Sequence, residues 1–312
     1  MLARARGRAV DLGYAAGWGL IKSVPPGLSG RWFRAAADVA TVRNGTAARQ
    51  LRRNLRRVVG PDVSELEMDA LVGDALRSYS RYWLETFRLP KLDLAAVAAR
   101  VDARITGAEH IVAGLERGRG VVLALPHSGN WDVAGIWLVS KHGPFTTVAE
   151  RLDPESLFTR FVEYRESLGM EVVPLTGGQR APSEVLVERL RANKVICLLA
   201  DRDLSRHGIP VSFFGEPARM PGGPALLAAT TGAVVLPVHA FFDGPEWGLA
   251  VFPPIDVPAG RLRDAVPAGT QALAEVFARE IARRPADWHM VQPLWDADLD
   301  PRHDRASKIA AS

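Results

Sequence analysis

Val121-Val122-Leu123-Ala124-Leu125-Pro126-His127-Ser128-Gly129-Asn130-Trp131-Asp132 is the stretch that decides the fold. The apolar run up to Pro126 reads as a strand. His127 to Asn130 read as a tight polar turn, and a helix follows with a carboxylate in its first turn. In open α/β sheets, ligands bind at the carboxyl ends of the strands. A histidine with a carboxylate nearby is the minimum set for a general base acting on an alcohol. On a continuous helix an i,i+5 pair shares no face, so the turn must bring His127 and Asp132 together. The plainer alternative is a loop histidine, with Asp132 placed for the helix dipole.

Outward from this stretch, strands and helices alternate. Strands are predicted at 120–126, 145–149, 171–174, 195–200, 234–241 and 248–253. Helices are predicted at 107–117, 131–141, 155–168, 182–193, 222–231 and 268–283. The alternation predicts an α/β fold, a central and mostly parallel sheet flanked by helices. Upstream, residues 64–88 read as a helix with Leu66, Leu71, Leu76, Tyr79, Tyr82, Trp83 and Phe87 as its apolar side.

Residues 46–59 form the clearest amphipathic helix. Arg49, Arg52, Arg53, Arg56 and Arg57 share one face, opposite Leu51, Leu55, Val58 and Val59. Residues 1–60 hold twelve Lys and Arg against Asp11 and Asp38, whereas the rest of the chain holds 27 basic and 33 acidic side chains. A basic end on an acidic body suggests an anionic surface as partner. The basic face then either meets acidic lipid headgroups or is simply solvated. Leu12, Tyr14, Trp18, Leu20, Ile21, Trp32 and Phe33 serve as interfacial anchors or as core, and nucleic acid is not the expected partner. The chain therefore divides into basic amphipathic helices (1–60), an α/β domain (61–296) and a polar tail (297–312).

No run of about 18 apolar residues predicts a membrane span, and the start fits a signal peptide poorly. The single cysteine, Cys197, lies in an apolar run and reads as a buried structural thiol. No cysteine–histidine cluster has zinc spacing.

A second constellation ends the apolar run 195–200: Asp201-Arg202-Asp203-Leu204-Ser205-Arg206-His207-Gly208. In a parallel sheet it lies on the same edge as His127. Asp201 is placed to bond the imidazole and fix its tautomer. Arg202, Arg206 and His207 supply positive charge suited to a phosphate-rich ligand. Asp201-Arg202-Asp203 also matches an Asp-x-Asp metal site, which would point to a glycosyltransferase using a nucleotide sugar. Ile209-Pro210-Val211-Ser212-Phe213-Phe214-Gly215 and Met220-Pro221-Gly222-Gly223-Pro224 follow.

In this order, with Tyr164-Arg165-Glu166-Ser167-Leu168-Gly169 between the two constellations and Pro285-Ala286-Asp287-Trp288-His289 near the end, the chain resembles the late acyltransferases of bacterial lipid A synthesis over about residues 40–296. The lipid A enzymes usually carry His-x4-Glu and an N-terminal membrane helix. Asp132 and the basic N-terminal region are instead similar to the actinobacterial branch that acylates phosphatidylinositol mannosides. That branch can have Glu in place of Asp201.

The resemblance implies transfer of a long-chain acyl group, such as palmitoyl, from acyl-CoA to a sugar hydroxyl of a glycolipid. It implies an enzyme on the cytoplasmic face of the plasma membrane with no cofactor beyond the acyl-CoA co-substrate. His127 would be the general base, with Asp132, Asp201 or both orienting it. Backbone N–H groups of Ser128 to Trp131 would hold the oxyanion. Arg165, Arg206 and His207 are the candidates for the donor, and Asn130 is a further candidate binding residue. Other glycolipid or lysophospholipid acyltransfer, and lipid binding without catalysis, are the alternatives.

Overall fold

The computed structural model describes residues 24–151, 154–203 and 207–299. Among these residues four helices come first: α1 (Pro26–Arg43), α2 (Thr46–Val59), α3 (Glu65–Arg88) and α4 (Leu94–Asp102). Ser64 starts α3 with a capping box, in which its side chain accepts the Glu67 N–H and the Glu67 carboxylate accepts the Ser64 N–H. The α/β body follows: β1 (Ile105–Thr106), α5 (Glu109–Glu116), β2 (Val121–Leu125), α6 (Trp131–His142), β3 (Thr146–Ala149), α7 (Glu155–Ser167), β4 (Glu171–Pro174), α8 (Pro182–Arg191) and β5 (Val195–Leu199). It closes with β6 (Ile209–Phe213), β7 (Glu216–Met220), α9 (Gly223–Thr231), β8 (Val234–Asp243), β9 (Glu246–Val251) and α10 (Leu262–Arg283).

The main sheet has the order β1-β9-β8-β2-β5-β3-β4. From β8 to β4 every pairing is parallel, and the β8–β9 hairpin turns β9 and β1 the other way. This is the mostly parallel sheet expected from the alternation. Leu123 and Leu125 of β2 face a core shared with α4 and α6, while Val122 and Ala124 face one shared with α8 and α10. Burial on both faces is why this strand is an unbroken apolar run rather than an alternating one. A third core, with Leu51, Leu55, Met68 and Val72, joins α1, α2 and α3.

The sequence reading missed several elements. β6 and β7 form a separate antiparallel hairpin, closed at Phe214 (φ 51°) and Gly215 (φ 78°). Two central residues at positive φ make the turn whose twist suits adjacent strands. Pro210 and Pro217 obscured these strands, since proline is tolerated only on such edge positions. Helix α10 begins at Leu262 rather than after Pro267. The bond Pro267 cannot make would go to Arg263, whose side chain is exposed, so the loss falls on the solvent side. Leu66, read as part of the apolar side of α3, is 80% exposed.

Candidate active site

Parallel pairing sets Leu125 beside Leu199, and the Ala200 N–H donates to the Leu125 carbonyl at 2.8 Å. The next residues on each strand are thereby brought to one place. His127 Nδ1 lies 2.6 Å from Asp201 Oδ1, and the His127 backbone N–H donates to Asp201 Oδ2 at 2.9 Å. The Trp288 indole N–H donates to the same Oδ2 at 2.9 Å. Asp201 is fully buried, which raises a carboxyl pKa. The His127 charge and these three hydrogen bonds outweigh burial and hold it below its usual range. An ionised carboxylate only accepts, so in the neutral imidazole it is Nδ1 that carries the ring proton and Nε2 that has the lone pair. Of the two carboxylates open to the imidazole, Asp201 is the one on it.

Asp132 engages other partners. It is buried in the first turn of α6, with Oδ1 3.1 Å from Arg165 Nε of α7 and Oδ2 accepting from the Tyr82 hydroxyl at 3.2 Å. Burial disfavours the Arg165 charge, but Asp132 outweighs it and the guanidinium pKa rises. Burial first, then the Asp132 charge, pushes the Tyr82 and Tyr164 hydroxyls well up. Arg165 thus ties α7 to α6.

The turn itself is tightly held. The Ser128 N–H donates to the Pro126 carbonyl at 2.8 Å, and the Gly129 N–H to the Asp287 carbonyl at 3.0 Å. Ser128 Oγ is 2.9 Å from His239 Nε2. Gly129 has φ 58°, and a Cβ there would lie 2.5 Å from the Ala240 backbone, so only glycine fits. Asn130 caps α6, its Oδ1 accepting the Val133 N–H at 3.1 Å and its Nδ2 donating to Glu85 at 2.7 Å. Both of its polar ends are therefore bound within the protein.

Beside the pair, an apolar pocket runs between α6 and the sheet. Leu125, Ala134, Leu138, Cys197, Leu199 and Val238 line it, and Trp131, Asp132 and Arg165 stand at its polar side. Burial pushes the Cys197 thiol pKa well up, which suits an inert lining residue.

Arg206 lies outside the described residues. His207 is exposed at the entry to β6, and Arg202 pairs with Glu150 at 3.5 Å. Asp203 accepts the Gly208 N–H at 2.8 Å, whereas Asp201 is on His127, so the two carboxylates of Asp-x-Asp serve different partners. Among the described residues no group of three or more His, Cys, Asp or Glu is arranged to hold a metal ion.

Three arginines of α2 pair with acids of the protein, while Arg49 is exposed. Arg52 bonds Glu65 and Asp69, Arg56 bonds Glu65, and Arg57 bonds Glu216 at 2.8 Å and Asp298 at 2.7 Å while lying over the Trp295 ring. Arg53 donates to Gln50, and Arg49 to the Asn44 carbonyl. The solvent-facing apolar stripe is on α1 instead. Leu28, Trp32, Val39 and Val42 are 43–86% exposed, opposite the buried Ser29 and Ala37, and Arg31, Arg34 and Arg43 are exposed too. Trp32 is the one residue of this stripe among the anchor candidates of the sequence. Leu12, Tyr14, Trp18, Leu20 and Ile21 lie outside the described residues. Among the described residues no helix is long and apolar enough to cross a membrane.

The family described as bacterial lipid A biosynthesis acyltransferase matches residues 3–297. A phosphatidylinositol mannoside acyltransferase of Mycolicibacterium smegmatis is 55% identical over 300 residues, covering 96% of each chain. One of Mycobacterium tuberculosis is 53% identical over 291 residues, covering 93% of this chain and 90% of the relative.

Proposed function

Since the chain belongs to the bacterial lipid A biosynthesis acyltransferase family, we propose that it moves a long-chain acyl group, palmitoyl, from acyl-CoA to a mannose hydroxyl of phosphatidylinositol mannosides. The observation that carries the mechanism is the 2.6 Å contact between His127 and the buried Asp201. His127 Nε2 takes the hydroxyl proton as the oxygen attacks the thioester carbon. Asp201 stabilises the imidazolium. Ser128 and Gly129 already donate their N–H groups, which leaves those of Asn130 and Trp131, at the start of α6, for the oxyanion. The intermediate collapses, the C–S bond breaks, and the proton passes from Nε2 to the departing CoA sulfur. No acyl-enzyme forms. The apolar pocket under α6 takes the acyl chain, and Arg165, Arg206 and His207 remain the candidates for the donor's thioester and phosphate end.

The exposed stripe of α1, with Arg31, Arg34 and Arg43 beside it, docks on the anionic cytoplasmic face of the membrane where the acceptor resides. The test of the reaction is mass spectrometry after incubation with palmitoyl-CoA and phosphatidylinositol mannosides. A gain of one palmitoyl group, absent with His127→Ala, is expected. Release of CoA without that gain would refute the acceptor, and neither product would refute acyl transfer from palmitoyl-CoA.

A further inference from the structure

Asp287-Trp288-His289 stands out in the sequence and has no part in the reaction as written. We propose that this segment is the clamp of the reacting pair, with Trp288 as the positioning residue of Asp201. Three consecutive residues grip the turn that carries His127. The Asp287 carbonyl accepts from Gly129, Trp288 forms an antiparallel bridge with Ser128, and the His289 N–H donates to the His127 carbonyl at 2.8 Å. The Trp288 side chain then reaches the other partner, donating to Asp201 Oδ2 at 2.9 Å. The segment therefore holds the histidine through the backbone of His289 and the carboxylate through the side chain of Trp288.

The terminal torsion of an aspartate is soft and roughly two-fold, so a carboxylate with one donor turns easily. Here two N–H groups, from Trp288 and from the His127 backbone, fix Oδ2 and aim Oδ1 at the imidazole. The clamp is itself anchored elsewhere. Asp287 accepts from Ser78 of α3 at 2.8 Å and from the Phe242 N–H of β8 at 2.9 Å, and His289 Nε2 is 3.0 Å from Ser78 Oγ. Without the indole N–H, Oδ2 keeps a single donor, and the orientation of the imidazole is lost with that of the carboxylate.

Trp288 is also fully buried against Phe213 and Trp295, so packing must be separated from hydrogen bonding. Trp288→Phe removes the N–H and part of the ring. Placing 3-benzothienylalanine at 288 by site-specific incorporation replaces the N–H with sulfur and keeps the outline, which decides the matter if the Phe variant does not fold. For both, kcat with palmitoyl-CoA is expected to fall about tenfold or more, with donor KM within about twofold, because misorientation of reacting groups acts on the chemical step. The low-field proton resonance of His127 Nδ1–H, identified by its loss in His127→Ala, should move or vanish. In an Asp201→Ala background the change at 288 should lower kcat no further.

A fall in Tm with kcat and the resonance unchanged overturns the proposal and leaves Trp288 as core filling. The kinetic arm rests on the acyl-transfer reading, but the resonance does not. A shifted resonance in a protein that transfers no acyl group would uphold the clamp and refute that reading.

Discussion

His127 and Asp201 are 74 positions apart in the chain, yet they are hydrogen-bonded because β2 and β5 are neighbours in parallel register. His127→Ala is expected to lower acyl transfer by about 10²–10⁴-fold, the usual share of a general base, with an unchanged circular dichroism spectrum. A residual rate above about a tenth of wild type would remove that assignment. Both residues were legible as strand-end polar groups following apolar runs. What spacing did not tell was which carboxylate meets the ring, because Asp132 is near in sequence and Asp201 is near only through sheet register. Trp288 was less legible still. Its contact with Asp201 spans 87 positions, and nothing in its local sequence distinguishes an indole that donates to a buried carboxylate from one that fills a core.

The elements are joined by polar ties that substitution can cut. Asp132 and Arg165 join α6 to α7 with both side chains largely out of water. Removing Arg165 strands a buried carboxylate, which costs about 3–5 kcal/mol. Arg165→Ala should therefore lower Tm by several degrees as well as changing kinetics, and the pair Asp132→Leu with Arg165→Met should recover much of that loss. Thermal denaturation of the three variants checks this. The two N-terminal helices behave differently. Trp32→Ser with Val39→Ser on α1 should weaken sedimentation with phosphatidylglycerol vesicles and leave Tm nearly unchanged. Neutralising Arg49, Arg52, Arg53, Arg56 and Arg57 together should lower Tm, since Arg52, Arg56 and Arg57 hold Glu65, Asp69, Glu216 and Asp298. If that variant keeps its Tm and loses vesicle binding, α2 rather than α1 is the membrane face. The amphipathic pattern of α2 was plain in the sequence, but an arginine stripe looks the same whether its acids are lipid phosphates or residues of α3. The fold adds that Glu65 and Asp69, in the first turns of α3, take up Arg52 and Arg56.

Across the whole molecule, buried titratable groups make the fold sensitive to acid. Burial first, then the Arg284 charge, lowers the His239 pKa to about 4. Burial first, then the His127 charge, lowers that of His289 to about 3. Unfolded histidines titrate near 6.5, so below that pH the unfolded chain binds protons that the folded chain refuses. The stability these two residues allow is present above pH ~6.5 and is lost as pH falls toward those folded values, by a few kcal/mol each. Asp201, whose pKa is lowered, acts in the same direction below about pH 4, the unfolded aspartate range, whereas Asp287, raised mainly by burial, opposes it. Urea unfolding between pH 7 and 4 should show a shallower decline for His239→Gln than for wild type. An unchanged slope would mean that His239 titrates normally in the folded state.

The clamp also has a place in time. Every strand of the sheet has been synthesised once Val251 is in place, and the His127 turn long before that, but Asp287, Trp288 and His289 follow only after the whole of α10. Domains generally fold as units while the chain emerges from the ribosome. A nascent chain can therefore complete its sheet and close its pocket with the reacting pair still unaligned. Competence waits on Trp288, and a chain that stops between Val251 and Trp288 has every strand of the sheet and lacks the clamp.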